Sequence, residues 1–367
     1  MKLREKLTAA VFVAIIFLFA IAHVALPDRA VSVTERRPLQ QLPELTVKTV
    51  MNGKYGQKLE SYLLDQFPLR DELRSLKAHW HFDVYGQSDN NGIYLVGDQI
   101  CKLDKVVKPD EVAAMIQNTN KVLEKYLTAD NQAYFALIPD KNYFVAEANG
   151  YPALDYGHME QLLRDGLSPE VQYLGMAPFS GLTIDSYFNT DLHWRQEQLQ
   201  TVVDGLAEAM DFTAPVLSGY TAKDYAPFYG SYYGQAALGG KADTLTALSS
   251  PVTDATVVTG LEFQGEKPVY DDADFHEMDG YDIYLGGPQG IVYLENTQGS
   301  TGRELIVFRD SFASSLAPLL MEGYDKVTLV DLRYMASFNI GQFVDFEDAD
   351  VLFLYSTGIV NSGKLLK

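Results

Sequence analysis

Three polar residues that are far apart in the sequence could together perform nucleophilic chemistry. Asp191 and His193 are two positions apart, and side chains at that spacing face the same side of an extended strand. An aspartate beside a histidine can fix the imidazole tautomer and leave the other ring nitrogen free to deprotonate a serine. Ser311 is the candidate serine. The three residues would then act as orienting carboxylate, base and nucleophile, provided that the fold brings them together.

Ser311 lies where a strand is predicted to give way to a helix. The apolar run Leu305–Phe308 is typical of a buried strand, and Ala313–Met321 has the composition of a helix, with Gly323 just past its end. Pro318 should kink or shorten that helix. A serine at such a turn lies near the positive end of a helix dipole, which suits a nucleophile. It equally suits an ordinary helix N-cap.

The Asp-x-His pair also has a purely structural interpretation. A helix is predicted over Arg195–Met210, and Thr190 or Asp191 could cap its first turn. Asp-x-His is a common combination that does not by itself indicate a site. The pair becomes informative only together with the serine turn later in the chain.

The composition limits the possible functions. The chain has 367 residues, of which 47% are hydrophobic, and a formal net charge of −20. Such a charge repels nucleic acid and anionic lipid, so we expect no nucleic-acid partner. Cys101 is the single cysteine, which excludes an intrachain disulfide and a cysteine-rich zinc site. His79 and His81 fall in a helical pattern and would point apart, so neither a metal nor a cofactor is predicted.

The N-terminus carries a targeting signal. Lys2, Arg4 and Lys6 precede Leu7–Leu26, a nearly uninterrupted apolar run that is long enough to span a membrane. Ala20-Ile21-Ala22 offers a site for signal cleavage. We favour a single-pass anchor in the cell membrane with the main domain outside the cytoplasm, whereas cleavage would make the protein secreted.

The rest of the chain is predicted to contain a helical extension and then an α/β domain. Apolar residues at helical spacing over Leu59–Tyr85 are interrupted by Pro68, which implies two helices. Beyond Tyr85, strands and helices alternate with short loops, a pattern typical of an α/β sheet. The predicted division is a signal anchor or signal peptide at 1–26, a linker and helical extension at 27–90, and the main domain at 91–367. The main predicted elements of that domain are a hairpin or the start of a strand at Gly92–Asp98, a helix at Asp110–Tyr126, and strands at Ala133–Ile138, Val171–Met176, Val327–Asp331 and Val351–Tyr355.

An aromatic stretch, Leu217–Gly240, could bind sugar rings. It holds several tyrosines, among them Tyr225 and Tyr232, that could form a stacking platform. Alternatively, the stretch is a loop whose aromatic side chains simply pack on the domain.

Short segments carry a resemblance to a known family. Asp-Leu-His-Trp at 191–194, Arg-Asp-Ser-Phe at 309–312 and Asp-Leu-Arg-Tyr at 331–334 resemble the signatures of DHHW proteins. So do the N-terminal motifs that begin at Glu35 and Asp65. DHHW proteins are similar to alginate O-acetylation proteins of bacterial envelopes. The resemblance implies an SGNH-hydrolase-like α/β domain, a flavodoxin-like sandwich in a circularly permuted order that places Asp-x-His before the serine motif.

The resemblance assigns roles to the candidate residues. Ser311 would be the nucleophile, His193 the base and Asp191 its orienting partner. Arg333 occupies the place of a further active-site residue, whose cation could steady an oxyanion or hold a substrate oxygen. Arg333 could equally form an ordinary ion pair.

The turn around the serine would supply the oxyanion hole. Asp310 and the backbone N–H of Ser311 or Phe312 would help to build the turn and the hole. Asn296 and Gly287 are further candidates for oxyanion donors.

The sequence departs from the family pattern at two positions. Leu192 replaces the first histidine of the name-giving motif, on a side that an extended chain would turn away from the triad. Arg309 stands where the nucleophile turn of SGNH hydrolases has a glycine, and it could reshape the oxyanion loop.

The leading hypothesis is a serine-dependent O-acetyltransferase that acts on a carbohydrate polymer outside the cytoplasm, in exopolysaccharide or cell-wall modification, with a membrane acyl-transfer protein as a possible partner. An acetylesterase would use the same triad with water as acceptor. A catalytically silent polysaccharide-binding or assembly protein is the alternative from another class. A generic secreted scaffold would keep the three triad residues far apart.

Overall fold

The computed structural model describes residues 3–276 and 278–367, so Lys2 of the predicted basic flank lies outside the described residues. Its helices are α1 (Leu3–Ala25), α2 (Val47–Met51), α3 (Lys54–Asp65), α4 (Arg70–His79), α5 (Pro109–Tyr126), α6 (Lys141–Val145), α7 (Tyr156–Gly166), α8 (Gln200–Met210), α9 (Ser231–Ala236), α10 (Pro251–Ala255), α11 (Ala313–Leu320) and α12 (Thr357–Val360). Its strands are β1 (Val31–Ser32), β2 (Arg37–Pro38), β3 (Ile93–Val96), β4 (Gln99–Lys102), β5 (Ala133–Ile138), β6 (Val171–Gly175), β7 (Thr221–Phe228), β8 (Asp243–Ser249), β9 (Thr256–Gly260), β10 (Lys267–Pro268), β11 (Ile291–Asn296), β12 (Glu304–Arg309), β13 (Lys326–Val330) and β14 (Asp350–Ser356).

One mixed sheet of eight strands organises the larger part of the chain. Its order is β10-β9-β11-β13-β12-β14-β5-β6. The strands β13, β12, β14, β5 and β6 are parallel, whereas β11, β9 and β10 continue the sheet in antiparallel pairs. The carboxyl ends of all five parallel strands therefore lie at one edge, where open α/β sheets bind their ligands. The predicted α/β class is confirmed.

The strand β12 shows why the central strands are apolar throughout. Leu305 and Val307 face one hydrophobic core, while Ile306 and Phe308 face another, because successive side chains point to opposite faces of a sheet. The helices α8 and α11 contribute to the first core, and α5 and α7 contribute to the second. The sheet is thus the middle of three layers. Full burial of each large apolar side chain stabilises the fold by about 1.5–3 kcal/mol.

The aromatic stretch forms ordered structure. Its first part is the strand β7, which pairs with β8, and Tyr225 and Phe228 are buried in a small core of their own. Tyr232 is half-buried, whereas Tyr229 is exposed. Tyr225 and Phe228 therefore pack inside the protein, as the alternative interpretation predicts. A sugar-binding platform formed by the whole stretch stays a prediction.

The chain forms two compact units, residues up to Asn91 together with Tyr233–Gly240, and Gly92–Tyr232 together with Lys241–Lys367. The functional division at residues 26 and 90 stays a prediction. The predicted break at Pro68 is confirmed, since α3 ends at Asp65 and α4 begins at Arg70.

The N-terminal motifs build an ion-pair network in the first unit. The Asp65 carboxylate accepts hydrogen bonds from Arg37 Nη1 and Nη2 at 2.9 and 2.6 Å, and from the backbone N–H of Gln40 at 2.8 Å. Glu35 pairs with Arg70 at 2.7 Å and with Arg74 at 3.1 Å. These motif residues therefore connect the strand region around β2 with α3 and α4.

The helix α1 is long and apolar enough to cross a membrane. It has 23 residues, contains an 18-residue stretch with a mean hydropathy of 2.6, and has no buried residue among those described. A signal sequence has the same properties, so both the anchor and the cleaved signal agree with this helix.

We expect the substitution Asp65→Asn to loosen the first unit at neutral pH. The hydrogen bonds from Arg37 lower the pKa of Asp65 to about 2. A lowered pKa means that the ionised form stabilises the fold above the unfolded value and loses this effect as the pH falls through about 2. We expect a loss of about 1–2 kcal/mol at pH 7, measured by hydrogen exchange of residues 37–40 and 65–70.

The exposed Glu60 gives the control, since Glu60→Gln should leave this exchange unchanged. The difference between the wild type and Asp65→Asn should shrink between about pH 4 and pH 2. Equal exchange of the two proteins at pH 7 would show that the carboxylate does not stabilise the unit.

Candidate functional site

The fold brings Asp191, His193 and Ser311 into one hydrogen-bonded line. The distance from His193 Nδ1 to Asp191 Oδ1 is 2.5 Å, and that from His193 Nε2 to Ser311 Oγ is 2.7 Å. A carboxylate only accepts hydrogen bonds, so Nδ1 carries the proton and Nε2 is the acceptor for the serine hydroxyl. Ser311 and the Asp-x-His pair are 118 residues apart in the chain, so only tertiary structure makes this contact.

Asp191 and His193 meet by a different route from the predicted extended strand. Their segment is a tight loop, closed by an isolated bridge between Tyr187 and Trp194. Inside it, the His193 N–H donates to Asp191 Oδ1 at 3.0 Å, which is the turn that an aspartate side chain forms with the backbone two residues later. The helix-cap interpretation is wrong as well, because α8 begins only at Gln200.

The Asp191 carboxylate is fully buried, and backbone donors hold it in place. The Ser231 N–H donates to Asp191 Oδ2 at 2.6 Å. A Cβ atom on Gly230 would lie 2.2 Å from the Cβ of Asp191 and 2.4 Å from the carbonyl oxygen of Thr190. Gly230 is therefore required for this close approach of two backbones. The Gly230 N–H in turn donates to Thr190 Oγ1 at 2.9 Å, and Thr190 is itself held by Asp243.

Lys141 also stabilises the loop that contains Asp191 and His193. Its side chain is almost completely buried, and Nζ lies within 2.7–3.2 Å of four backbone carbonyl oxygens, those of Ile100, Phe188, Asn189 and Asp191. Burial lowers the pKa of Lys141 from 10.5 to about 8. A buried ammonium surrounded by carbonyl oxygens fixes the position of the loop that carries the triad carboxylate.

Two aromatic rings set the plane of the imidazole. The Tyr281 ring stacks on His193 with centroids 3.9 Å apart and an angle of 8° between the planes. Phe312 meets the imidazole edge-on at 4.9 Å. Tyr281 also donates from its hydroxyl to the Ser311 carbonyl oxygen at 3.3 Å. The base therefore has little rotational freedom, and its nitrogens stay directed at Asp191 and Ser311.

The turn at Ser311 is built by Asp310. Asp310 Oδ1 accepts from the Phe312 N–H at 3.0 Å, and Oδ2 accepts from the Ser356 N–H at 2.8 Å. The Phe312 N–H is thus engaged inside the turn, which leaves the Ser311 N–H as the better candidate of the two for an oxyanion donor. The N-cap interpretation of Ser311 is wrong, because Phe312 occupies that position of α11 and Ser311 Oγ bonds to His193.

Arg309 turns its side chain into the protein interior. It is almost fully buried, and Nη1 donates to Ser314 Oγ at 3.0 Å. Burial lowers the pKa of this guanidinium. Arg309, which stands in place of the expected glycine, therefore stabilises the first turn of α11.

A cavity of about 430 Å³ opens next to Ser311. It lies at the carboxyl edge of the sheet, so its walls come from the residues that follow β5, β12, β13 and β14. The chemically important lining residues are Asp140, Lys141, Leu192, Ser311, Arg333 and Ser356. Leu192, which replaces the family histidine, thus faces the cavity that also contains the serine.

Arg333 forms the ion pair that the sequence leaves open, and its active-site role stays a prediction. Its Nε and Nη2 donate hydrogen bonds to the buried Asp331 carboxylate, the shortest of them 2.6 Å long. The residue also lines the cavity beside Ser311. Burial opposes the charge, but the hydrogen bonds and charge of Asp331 outweigh it and raise the pKa of Arg333. A permanently charged, fixed guanidinium in this wall can attract a substrate oxygen.

The other two candidate oxyanion donors do not reach the cavity. The Asn296 N–H donates to the carbonyl oxygen of Asp325, at the amino end of β13, which is the opposite edge of the sheet from Ser311. Gly287 packs closely against Asp282 and does not line the cavity. Both predictions are therefore wrong, since Asn296 is at the opposite edge and Gly287 is not among the residues that line the cavity.

Sequence reasoning missed Lys141, Ser231 and Tyr281. Lys141 had one detectable signal, because it closely follows the buried strand β5 at the carboxyl edge. Ser231 acts through its backbone, and Tyr281 through ring stacking, so their residue types carry no signal for these roles. Among the described residues, no group of three or more potential metal ligands occurs.

We expect Lys141→Met to loosen the triad loop, because four carbonyl oxygens would lose a buried cationic donor. Hydrogen exchange of residues 186–195 should report a local loss of about 2 kcal/mol. Lys105→Met, on an exposed lysine, is the matched control. Identical exchange in both variants would contradict the role of Lys141.

The same variant gives a pH test. Because the pKa of Lys141 is lower in the folded state, the unfolded chain binds more protons between about pH 8 and 10.5. The free energy of unfolding of the wild type should therefore rise, relative to that of Lys141→Met, across this window.

A family model with the description DHHW protein matches residues 180–330. Several solved structures are similar to this chain, among them the following three. A DHHW family protein from Eubacterium siraeum shares 19% identity with a TM-score of 0.62, and 76% of this chain and 94% of that chain are covered. PatB1 from Bacillus cereus, with a sulfonyl adduct, shares 18% identity with a TM-score of 0.57, covering 75% and 97%. The O-acetyltransferase domain of Pseudomonas putida AlgJ shares 14% identity with a TM-score of 0.43, covering 74% and 92%.

No curated protein matches the sequence. The family model covers less than half of the chain, and at these identities the two higher TM-scores establish the fold. The predicted resemblance is thereby confirmed: this chain is similar to DHHW proteins, and it shares the α/β fold of the Eubacterium siraeum protein and of PatB1.

Proposed function

We propose that this chain is a serine-dependent O-acetyltransferase that acts outside the cytoplasm on a carbohydrate polymer of the cell envelope. The observation that carries the proposal is the line from Asp191 through His193 to Ser311, with both hydrogen bonds at 2.7 Å or less. The DHHW resemblance supports acyl transfer as the reaction class.

The first half-reaction would form an acyl-enzyme. Ser311 Oγ attacks the carbonyl carbon of an acetyl donor while His193 Nε2 takes the hydroxyl proton. Asp191 stabilises the resulting imidazolium through its bond to Nδ1. The Ser311 N–H and the Arg333 cation, which lines the same cavity, would stabilise the developing oxyanion. Collapse of the tetrahedral intermediate expels the donor's leaving group, which receives the proton from His193.

The second half-reaction would pass the acetyl group to a hydroxyl of the polymer. His193 takes the proton of that hydroxyl, and the hydroxyl oxygen attacks the acyl carbon. Collapse restores Ser311, which recovers its proton from His193. Polar cavity walls, which include Asp140 and Ser356, suit an acceptor rich in hydroxyl groups. Burial raises the pKa of Asp140, so this carboxyl can also donate a hydrogen bond over a wider pH range.

The proposed location requires an acyl donor outside the cytoplasm. The helix α1 supports attachment to the membrane, with the larger unit on the extracytoplasmic side. A membrane protein that delivers acyl groups across the bilayer is the partner that this arrangement would need.

We expect phenylmethylsulfonyl fluoride to modify Ser311 and to raise the intact mass by one sulfonyl group. An activated serine reacts because His193 accepts its proton during the attack. Ser311→Ala should remove the labelling, whereas Ser362→Ala, on a second serine of the same cavity, should retain it. A folded wild type that takes up no reagent would favour a catalytically silent binding protein.

Turnover of 4-nitrophenyl acetate, with and without an oligosaccharide acceptor, tests the reaction type. Ser311→Ala and His193→Ala should each lose several orders of magnitude in rate, and Asp191→Asn about 10⁴-fold, because the wrong tautomer of the imidazole would result. Acetylated oligosaccharide as the main product supports the transferase. Release of free acetate alone, at an unchanged rate with acceptor, would identify an acetylesterase.

A further inference from the structure

The helix α4 in the first unit has inverted polarity. Two of its arginines turn toward the protein, where Arg70 and Arg74 reach Glu35 at 2.7 and 3.1 Å. Its large apolar residues turn outward instead: Leu73 is 39% exposed and Leu76 is 60% exposed. A helix in water buries its apolar side, so this arrangement indicates that an apolar environment covers the outer side.

Exposed apolar residues extend the outward side of α4 beyond both ends of the helix. Leu69, Leu73, Leu76 and Trp80 recur at spacings of four, three and four, which places them on one stripe. Leu64 and Phe67, from the end of α3 and the turn after it, are exposed as well. We call these six residues the outward apolar face. Glu72 and Lys77 are the exposed charged side chains of α4 beside it.

The position of α1 indicates that the lipid bilayer covers the outward apolar face. At 1.5 Å per residue, α1 is about 35 Å long, enough to cross the hydrocarbon core of a bilayer. Phe19 and His23, in its last turns, contact Phe67 at 5.2 Å and Tyr62 at 5.6 Å between ring centroids. Phe67 itself belongs to the outward apolar face. The face therefore adjoins the end of α1, which is the level of the membrane interface.

The charge distribution permits contact with lipid headgroups at this unit. Residues 27–91, which follow α1 and lie on the same side of the membrane as α4, contain 9 basic and 9 acidic side chains, a net charge of zero, whereas residues 92–367 contain 17 and 39, a net charge of −22. The overall charge of −20 thus hides a strong asymmetry. The repulsion from anionic lipid that the whole composition suggests does not apply to the N-terminal segment.

We propose that the outward apolar face lies on the lipid bilayer, with α4 parallel to the interface beside the end of α1. Leucines in such a helix enter the boundary between headgroups and acyl chains, and tryptophan is favoured at that level. This contact is independent of the catalytic proposal, because it involves none of the triad residues.

The two tryptophans of the chain make the test selective. Trp80 is on the outward apolar face and Trp194 is fully buried in the larger unit. The full chain is reconstituted into phosphatidylcholine vesicles whose acyl chains carry bromine or doxyl quenchers at a shallow or a deep position. We expect partial quenching, stronger with the shallow quencher, and its loss in Trp80→Phe. Equal quenching in wild type and Trp80→Phe would overturn the proposal.

A second pair of variants tests the face itself. Leu73→Ser with Leu76→Ser should reduce the quenching of Trp80 at least twofold, whereas Phe338→Ser, on an exposed apolar residue of the larger unit, should leave it unchanged. If aqueous acrylamide quenches Trp80 in the vesicles and lipid quenchers do not, the face lies in water and the proposal is wrong. If neither quencher reaches Trp80, a second copy of the chain covers the face instead, which also overturns the proposal.

Discussion

The burial of the Asp191 carboxylate is the constraint on which the site depends. A carboxylate removed from water is costly unless donors surround it, and here the His193 N–H, the His193 ring and the Ser231 N–H supply them. To place these donors, the chain must close a tight loop around residue 191 and bring a second backbone within touching distance at Gly230. The geometry of the imidazole follows from this anchoring, since a base held on one side by a fixed acceptor has only one nitrogen left for Ser311.

The sheet explains why the remaining groups of the site converge. Parallel strands direct all their carboxyl ends to one edge, so Asp140, Ser311, Arg333 and Ser356 meet there although they are far apart in sequence. Lys141 lies at the same edge and stabilises the loop that contains Asp191 and His193. Its ammonium is expensive to bury, and the four carbonyl oxygens around it offset that cost while they are held in place.

The two units use charge in opposite ways. In the larger unit, buried charges fix the geometry of the candidate site, and this unit also carries the acidic excess of the chain. In the first unit, arginines and carboxylates form the interior contact of α4 and leave leucines outside. This arrangement would be unfavourable for a helix that is surrounded by water. It therefore agrees with an apolar environment next to the apolar helix α1.

Local sequence patterns predicted the main element types and the chemically reactive residues. A continuous apolar run located the strand at Ala133–Ile138, because both of its faces are buried, and a period of 3.6 residues located the helix that ends at Tyr126, because one of its faces is buried. The motifs also named the triad candidates by residue type. Tertiary structure alone decided how they meet: Asp191 and His193 join through an aspartate turn, Phe312 takes the N-cap position expected for Ser311, and Asn296 lies at the wrong edge. Lys141, Gly230 and Tyr281 act through backbone approach, burial and ring stacking. Those contacts join residues distant in the chain, so no local pattern encodes them.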